Sequence, residues 1–178
     1  MVVNDFYKFI YFLMPRTASR AIKKSLLSIR WSYAPHDPKR HVFLPPDNTQ
    51  DYFSFCGQRN PFQRVVSHYR YRRRKNLPSA KYLTFEQYVK KSVDPPITKI
   101  IEKHNLKIDA FIRFENLPVA LGVLPFLEKT GLLLRHVGQA NSYSIFDYYT
   151  PELIKIVQKD HLSDFEAFNY NLDIEALR

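Results

Sequence analysis

One stretch limits the possible folds of this chain more than any other: Tyr52-Phe-Ser-Phe-Cys-Gly-Gln-Arg-Asn-Pro-Phe-Gln-Arg-Val-Val-Ser-His-Tyr69. Its first residues, Tyr52 to Cys56, form a short apolar and aromatic run, which reads as a buried strand. Gly57, Asn60 and Pro61 then punctuate the chain. Asn60 can cap a helix, and Pro61 suits a first helical position, where its missing N–H costs nothing. The helix that follows should bury Val65, Val66 and Tyr69. Arg59 stands at the junction, and Arg64 and Ser67 project from the helix. A helix N-terminus with a guanidinium and a hydroxyl beside it suits a phosphate group.

A second strand, loop and helix lies upstream. Phe6 to Met14 is rich in strand formers and reads as the first, buried strand. Pro15-Arg16-Thr17-Ala18-Ser19 breaks it, and Ala21, Ile22, Leu26 and Ile29 then recur at helical spacing over 18–29. Successive amides at such a helix start can face an anion, and a cation can neutralise it. The string Gly-x-x-x-x-Gly-Lys-Ser/Thr of nucleoside triphosphatases is absent, and the chain has only four glycines.

The Arg59-x-Pro61-x-x-Arg64-x-x-Ser67-x-Tyr69 pattern closely resembles the 3′-phosphate motif of sulfotransferases that use 3′-phosphoadenosine 5′-phosphosulfate (PAPS). In that family the residues matching Arg59 and Ser67 hold the 3′-phosphate. The upstream loop resembles the family's 5′-phosphosulfate loop, Pro-Lys-Thr-Ala/Gly-Ser/Gly-Thr-Ser. Pro15, Thr17, Ala18 and Ser19 fit it. Arg16 stands in place of Lys, Arg20 in place of Thr, and Ala21 where Ser is common. By this resemblance Arg16, Thr17, Ala18, Ser19, Arg20 and Ala21 line the phosphosulfate, and Arg16 also offsets charge in the reaction. The heparan sulfate and uronyl 2-O-sulfotransferases carry a catalytic histidine between the two motifs. His41 is the better match for it and His36 the second. Phe114-Glu-Asn-Leu117, the 136–143 segment and Asp164-Phe-Glu-Ala-Phe-Asn-Tyr170 resemble further family positions. They are read as a structural step with Asn116 as cap and Glu115 in a buried ion pair, a loop closing over the nucleotide, and packing, respectively.

The rest of the chain supplies ordinary elements. The 31–48 interval is proline-rich and irregular. Residues 69–76 form a charge run with two tyrosines, either a solvated helix end or the edge of an anionic groove. Thr84 caps a short helix to Lys91, with Gln87 placed for a capping box. Further helical turns are expected over 97–104, a buried strand over 110–114, and an apolar helical stretch to Leu127, split by Pro125 and closed by Gly131. Thr150 and Pro151 start the last helix.

Composition bounds the partners. The 178 residues suit one domain, 1–178, and 45% hydrophobic with 25% charged residues describes a globular chain. The formal charge of +10 favours an anionic partner. A single cysteine, Cys56, allows no intramolecular disulfide and no cysteine metal cluster. The 9–14 run is too short to span a bilayer, and the first residues lack the pattern of a signal peptide. The expectation is a soluble, cytoplasmic α/β domain with a mainly parallel central sheet flanked by helices, of the P-loop-kinase-like sulfotransferase type. It would transfer a sulfuryl group from PAPS to an acceptor hydroxyl on a carbohydrate, leaving 3′,5′-adenosine bisphosphate, with no metal and no nucleic acid. Two alternatives stand beside it: a non-catalytic binder of nucleic acid or acidic glycan, and a degenerate sulfotransferase that binds nucleotide without turnover.

Overall fold

The computed structural model describes residues 1–35, 45–92, 94–117, 119–131 and 143–178. In chain order its elements are β1 (Val2–Asn4), β2 (Phe9–Phe12), α1 (Ser19–Leu26), β3 (Ser32–Tyr33), β4 (Phe53–Gln58), α2 (Pro61–Arg74), α3 (Pro78–Lys81), α4 (Phe85–Lys90), α5 (Ile97–Lys103), β5 (Ala110–Arg113), α6 (Leu127–Thr130), α7 (Pro151–Asp160) and α8 (Leu162–Ala167). Short 3₁₀ segments join several of them. The chain packs as two units. The first holds Met1–Gln58 and the described residues 104–131; the second holds Arg59–Lys103 and 143–178.

The first unit is the α/β part. Its five strands lie in the order β3-β1-β2-β4-β5. β2 runs parallel to β4, and β4 parallel to β5, with Tyr11 opposite Phe55 and Gly57 opposite Ile112. β1 is antiparallel to both β2 and β3. The sheet is therefore mixed, rather than mainly parallel as the sequence suggests. The first strand is expected over 6–14; instead a separate strand, β1, precedes it, the chain turns between Asn4 and Lys8, and β2 covers only Phe9–Phe12. Asn4 Oδ1 accepts from Tyr7 N–H (2.7 Å), and Lys8 takes a left-handed φ of 51°. Asn4 Nδ2 donates to Arg30 O (3.0 Å) and to Ser32 Oγ (2.9 Å), which ties β3 to β1. This buried amide is thus satisfied on both sides.

One face of the sheet carries Val2, Phe9, Tyr11, Phe55 and Ile112. Ile22, Leu26 and Ile29 from the first helix and its exit pack there, as do Leu121, Leu124 and Phe126. Phe9 stacks on Phe126 at 4.2 Å. Each such fully buried side chain contributes about 1.5–3 kcal/mol. On the other face Val3, Ile10, Phe12 and Cys56 are also buried. Entry to β5 is fixed by Asp109, whose Oδ2 accepts from Ser54 N–H (2.8 Å) and Oγ–H (2.9 Å). Desolvation alone would raise the Asp109 carboxyl, but Ser54 and then Lys107 hold it below its ordinary value. β5 itself is half-buried, with Ile112 its one fully buried residue. Pro125 falls between a 3₁₀ turn and α6, and Gly131 closes α6 with φ 59°.

The second unit is helical. Phe62, Val65, Val66 and Tyr69 of α2 pack with Tyr88 and Val89 of α4, Leu153 and Val157 of α7, and Phe165 of α8. The starts of α2, α4 and α7 follow the sequence signals. Asn60 Oδ1 accepts from Phe62 N–H (3.0 Å), with Pro61 first in α2. Thr84 and Gln87 form both bonds of a capping box. Thr150 Oγ1 accepts from Leu153 N–H (3.3 Å).

Candidate functional site

The loop that leaves β2 carries the densest unusual backbone around a predicted site. Arg16 and Ala18, alternate residues, have φ of 65° and 59°. Non-glycine residues rarely adopt that region, and it costs of order 1–3 kcal/mol where it is held. Left-handed residues alternating with right-handed ones are the backbone pattern found in anion-binding concavities. Ala18 is also the N-cap of α1, with no side-chain cap and no acidic residue in the first turn. The positive end of the helix is therefore not answered by a carboxylate of its own first turn.

Side chains beneath the loop hold it in this shape. Thr17 is 1% exposed, and its Oγ1 donates to Met14 O (3.0 Å). Ser19 Oγ donates to the same carbonyl. Gly57, inside β4 rather than in a turn after it, passes directly under Thr17. A Cβ on Gly57 would lie 2.6 Å from Thr17 Oγ1 and 2.8 Å from Thr17 Cβ. Only glycine allows that approach. Tyr11, fully buried, stands below the same hydroxyls; burial first, and then Cys56, push its phenol well above the ordinary value. So Thr17 and Ser19 spend their hydroxyl hydrogens on the loop itself. What this leaves toward a ligand is backbone, with Arg16 half-buried and Arg20 exposed on α1. Gly57 and Tyr11 are the site residues that sequence reasoning misses. A glycine in a strand of a chain with four glycines was the available signal.

Arg59 and Ser67 belong to the second unit. Arg59 is the residue after β4 in the chain, and both side chains are buried, at 9% and 5% exposure. Arg64 is corrected. It is fully buried and does not project toward a ligand. Its Nη1 lies 3.2 Å from Asp94 Oδ1, and its Nη2 donates to Pro95 O (2.7 Å) and reaches His161 Nδ1 (3.3 Å) and Asp164 Oδ2 (3.6 Å). His68 Nδ1 lies 2.7 Å from Asp94 Oδ1, while Arg72 Nε donates to His68 Nε2 (3.0 Å). An arginine cannot give up its proton, so His68 must accept at Nε2 and donate from Nδ1. Arg72 is thereby linked to Asp94, and two guanidiniums face two carboxylates. For Asp94, desolvation works against ionisation, but Arg64, His68 and His161 outweigh it and hold the carboxyl below its ordinary value. Burial, and then Arg64, push His161 down to about 4, so it is neutral at pH 7 and can accept from Arg64.

Asp164 has a second task. It accepts from Ile97 N–H (2.8 Å), Thr98 N–H (2.8 Å) and Thr98 Oγ1 (2.8 Å), capping α5. The 164–170 motif is thus more than packing, although Phe165 does pack in the core. Glu115 is exposed, and Asn116 lies within a 3₁₀ turn rather than capping a helix. The charge run is exposed from Arg73 to Asn76, as a solvated helix end would be, while its first half is partly covered. Arg70 donates to Tyr148 Oη (2.7 Å) and sits 4.0 Å over the Tyr143 ring, and Arg73 donates to Tyr69 Oη (3.1 Å).

His41 and His36, the two candidate bases, and residues 136–142 of the expected nucleotide loop lie outside the described residues. Among the described residues no helix is long and apolar enough to cross a membrane, and no group of three or more His, Cys, Asp or Glu is placed to hold a metal ion. No family model, no curated protein and no solved structure matches the chain.

Proposed function

We propose that this protein transfers a sulfuryl group from PAPS to a hydroxyl, on a carbohydrate acceptor. The observation that carries the reading is the loop after β2: left-handed Arg16 and Ala18 before an uncapped helix start, pressed against a strand glycine. A strained loop held this firmly, with a guanidinium in it, suits a multiply charged oxyanion. The parallel β2–β4 pair, with this loop at its carboxyl end, fits the P-loop-kinase-like sulfotransferase fold.

In this reaction the acceptor oxygen attacks sulfur in line, and the bond from sulfur to the 5′-phosphate oxygen breaks. The acceptor proton passes to a base, for which the sequence offers His41 with His36 second. Charge grows on the departing 3′,5′-adenosine bisphosphate. A transition state of this loose kind asks the protein for positioning and neutral charge more than for covalent chemistry. The loop amides and Arg16 would take the 5′-phosphosulfate, and Arg59 and Ser67 the 3′-phosphate. Arg16 acts as a fixed clamp and not as an acid, because its fork of donors never deprotonates.

The test is release of 3′,5′-adenosine bisphosphate from PAPS in the presence of saccharide acceptors. Arg16→Ala should lose most turnover, on the order of 10²–10³-fold, and Arg16→Lys should keep part or all of it. Turnover unchanged in Arg16→Ala would remove the loop from the site. One observation favours a second reading, nucleotide binding without transfer. Thr17 and Ser19 turn their hydroxyls to Met14 O, and Arg16 replaces the lysine of the resembled motif. Under that reading wild type binds the bisphosphate but sulfates nothing.

A further inference from the structure

The edge of the first unit carries an aromatic face that its core does not explain. The β1–β2 turn presents Asp5 and Phe6, and β3 with the residue before it presents Trp31, Ser32 and Tyr33, around one open depression. Phe6 is 68% exposed and Trp31 61% exposed. Large rings left in water forgo burial worth about 1.5–3 kcal/mol each. Trp31 also has φ 68°, a backbone state that is a true outlier for a bulky side chain. Two costs fall on one residue, and they call for an explanation outside the fold.

The face is also held rigid. Val3 pairs with Tyr33 and Asn4 with Ser32, and the Asn4 amide bonds across to Ser32 Oγ and Arg30 O. The Arg30 guanidinium lies 4.9 Å over the Trp31 ring. Phe6 meets Tyr7 edge to face at 4.9 Å. Tyr52 Oη donates to Asp5 Oδ1 (3.0 Å), which orients the carboxylate. Because Ser32 Oγ accepts from Asn4, its own hydrogen is left to donate. Ring faces thus stand beside one oriented acceptor, Asp5, and one donor, Ser32.

We propose that this face binds an uncharged pyranose unit of a glycan. A sugar ring offers an apolar C–H face for aromatic rings and a rim of hydroxyls that both donate and accept. Asp5 lines the depression and the Arg30 guanidinium lies over the Trp31 ring, so charges of both signs stand at the face and neither an anion nor a cation is favoured. A second copy of the chain is the less suited occupant, since β3 is only two residues long and offers few backbone groups for strand pairing. Use of the face to hold a sulfation acceptor rests on the proposed transfer reaction; binding of sugar to it does not.

Trp31 is the only tryptophan of the chain, so its emission reports this face alone. Wild type should show a saturable change in emission on titration with a hexasaccharide of β1,4-linked glucose or of β1,4-linked N-acetylglucosamine, with no PAPS present. Phe6→Ala and Asp5→Ala should each weaken that binding about tenfold, as loss of one ring contact or one charged hydrogen bond does. Both residues are exposed, so far-UV circular dichroism should stay unchanged. No emission change with either sugar at about 10 mM overturns the proposal. So does a wild-type dimer in sedimentation that Phe6→Ala disperses, which would make the face a self-association surface. Either failure leaves the PAPS reading intact, and loss of PAPS turnover leaves the sugar result intact.

Discussion

Arg16 and Arg64 both stand near the start of a helix, and by sequence both are candidates for an anion. Arg64, in the second unit, is fully buried and answered by Asp94, Asp164, His161 and a backbone carbonyl. Arg16, in the first unit, is half-buried and sits on left-handed backbone. Burial with complete charge compensation marks an arginine that organises its own unit. Partial exposure on a strained, braced loop marks one that suits a ligand. The difference lies in the surroundings and not in the residue type.

The largest test of this contrast is Arg64→Ala. It leaves Asp94 and Asp164 buried without their cation, and should cost about 3–5 kcal/mol in urea unfolding. If Arg64→Ala keeps its stability but loses nucleotide binding, the contrast is broken and Arg64 belongs to a phosphate site.

A pH series sharpens it without a mutation. His161 titrates at its ordinary value of 6.5 when unfolded and at about 4 when folded. Between those values the unfolded chain binds more protons, so stability falls as pH falls. The loss should reach about 2 kcal/mol at pH 5 and about 3 kcal/mol at pH 4. Asp94, held below its ordinary value, adds its own loss only under the usual carboxylate range, as its folded form finally protonates. Equal unfolding free energies at pH 7 and pH 5 would mean that burial and Arg64 do not keep His161 neutral in the folded unit.

Gly57→Ala probes the other side of the comparison. Its Cβ would meet Thr17 side-chain and backbone atoms at 2.6–3.0 Å, so the loop must shift. Chemical denaturation should register a loss of about 1–3 kcal/mol, and affinity for 3′,5′-adenosine bisphosphate should fall about tenfold or more. Unaltered affinity would show that the loop shape is not what a nucleotide reads. The smallest effect belongs to Arg20→Ala. Arg20 is exposed, so stability should move by less than about 0.5 kcal/mol, and nucleotide affinity by a few-fold at most.

Local signals were readable wherever a short rule governs. Asn60-Pro61, the Thr84–Gln87 box, Thr150-Pro151 and the Gly131 stop all act within four residues, and each appears where its pattern predicts. What the sequence hides depends on distant partners. Strand β1 goes unread, because nothing local to Asn4 shows that Arg30 and Ser32 take its amide. The identity of Arg64 says nothing of Asp94 or Asp164, which lie 30 and 100 residues further along the chain. Gly57 reads as a turn, because the strand pattern cannot reveal that Thr17 lies on it. Hydroxyls in the 15–21 loop read as ligand contacts, but Met14 O takes them.

A nucleotide site that recognises a 3′-phosphate should show itself in thermal unfolding with 3′,5′-adenosine bisphosphate and with 5′-AMP at equal concentration. A ligand at a hundredfold excess over its dissociation constant adds about 2.7 kcal/mol, which at this chain length raises Tm by several degrees, about 2–4 °C per kcal/mol. The bisphosphate should give a clearly larger shift in wild type, and Arg59→Ala should respond equally to the two nucleotides. Equal shifts from both nucleotides in wild type would contradict it.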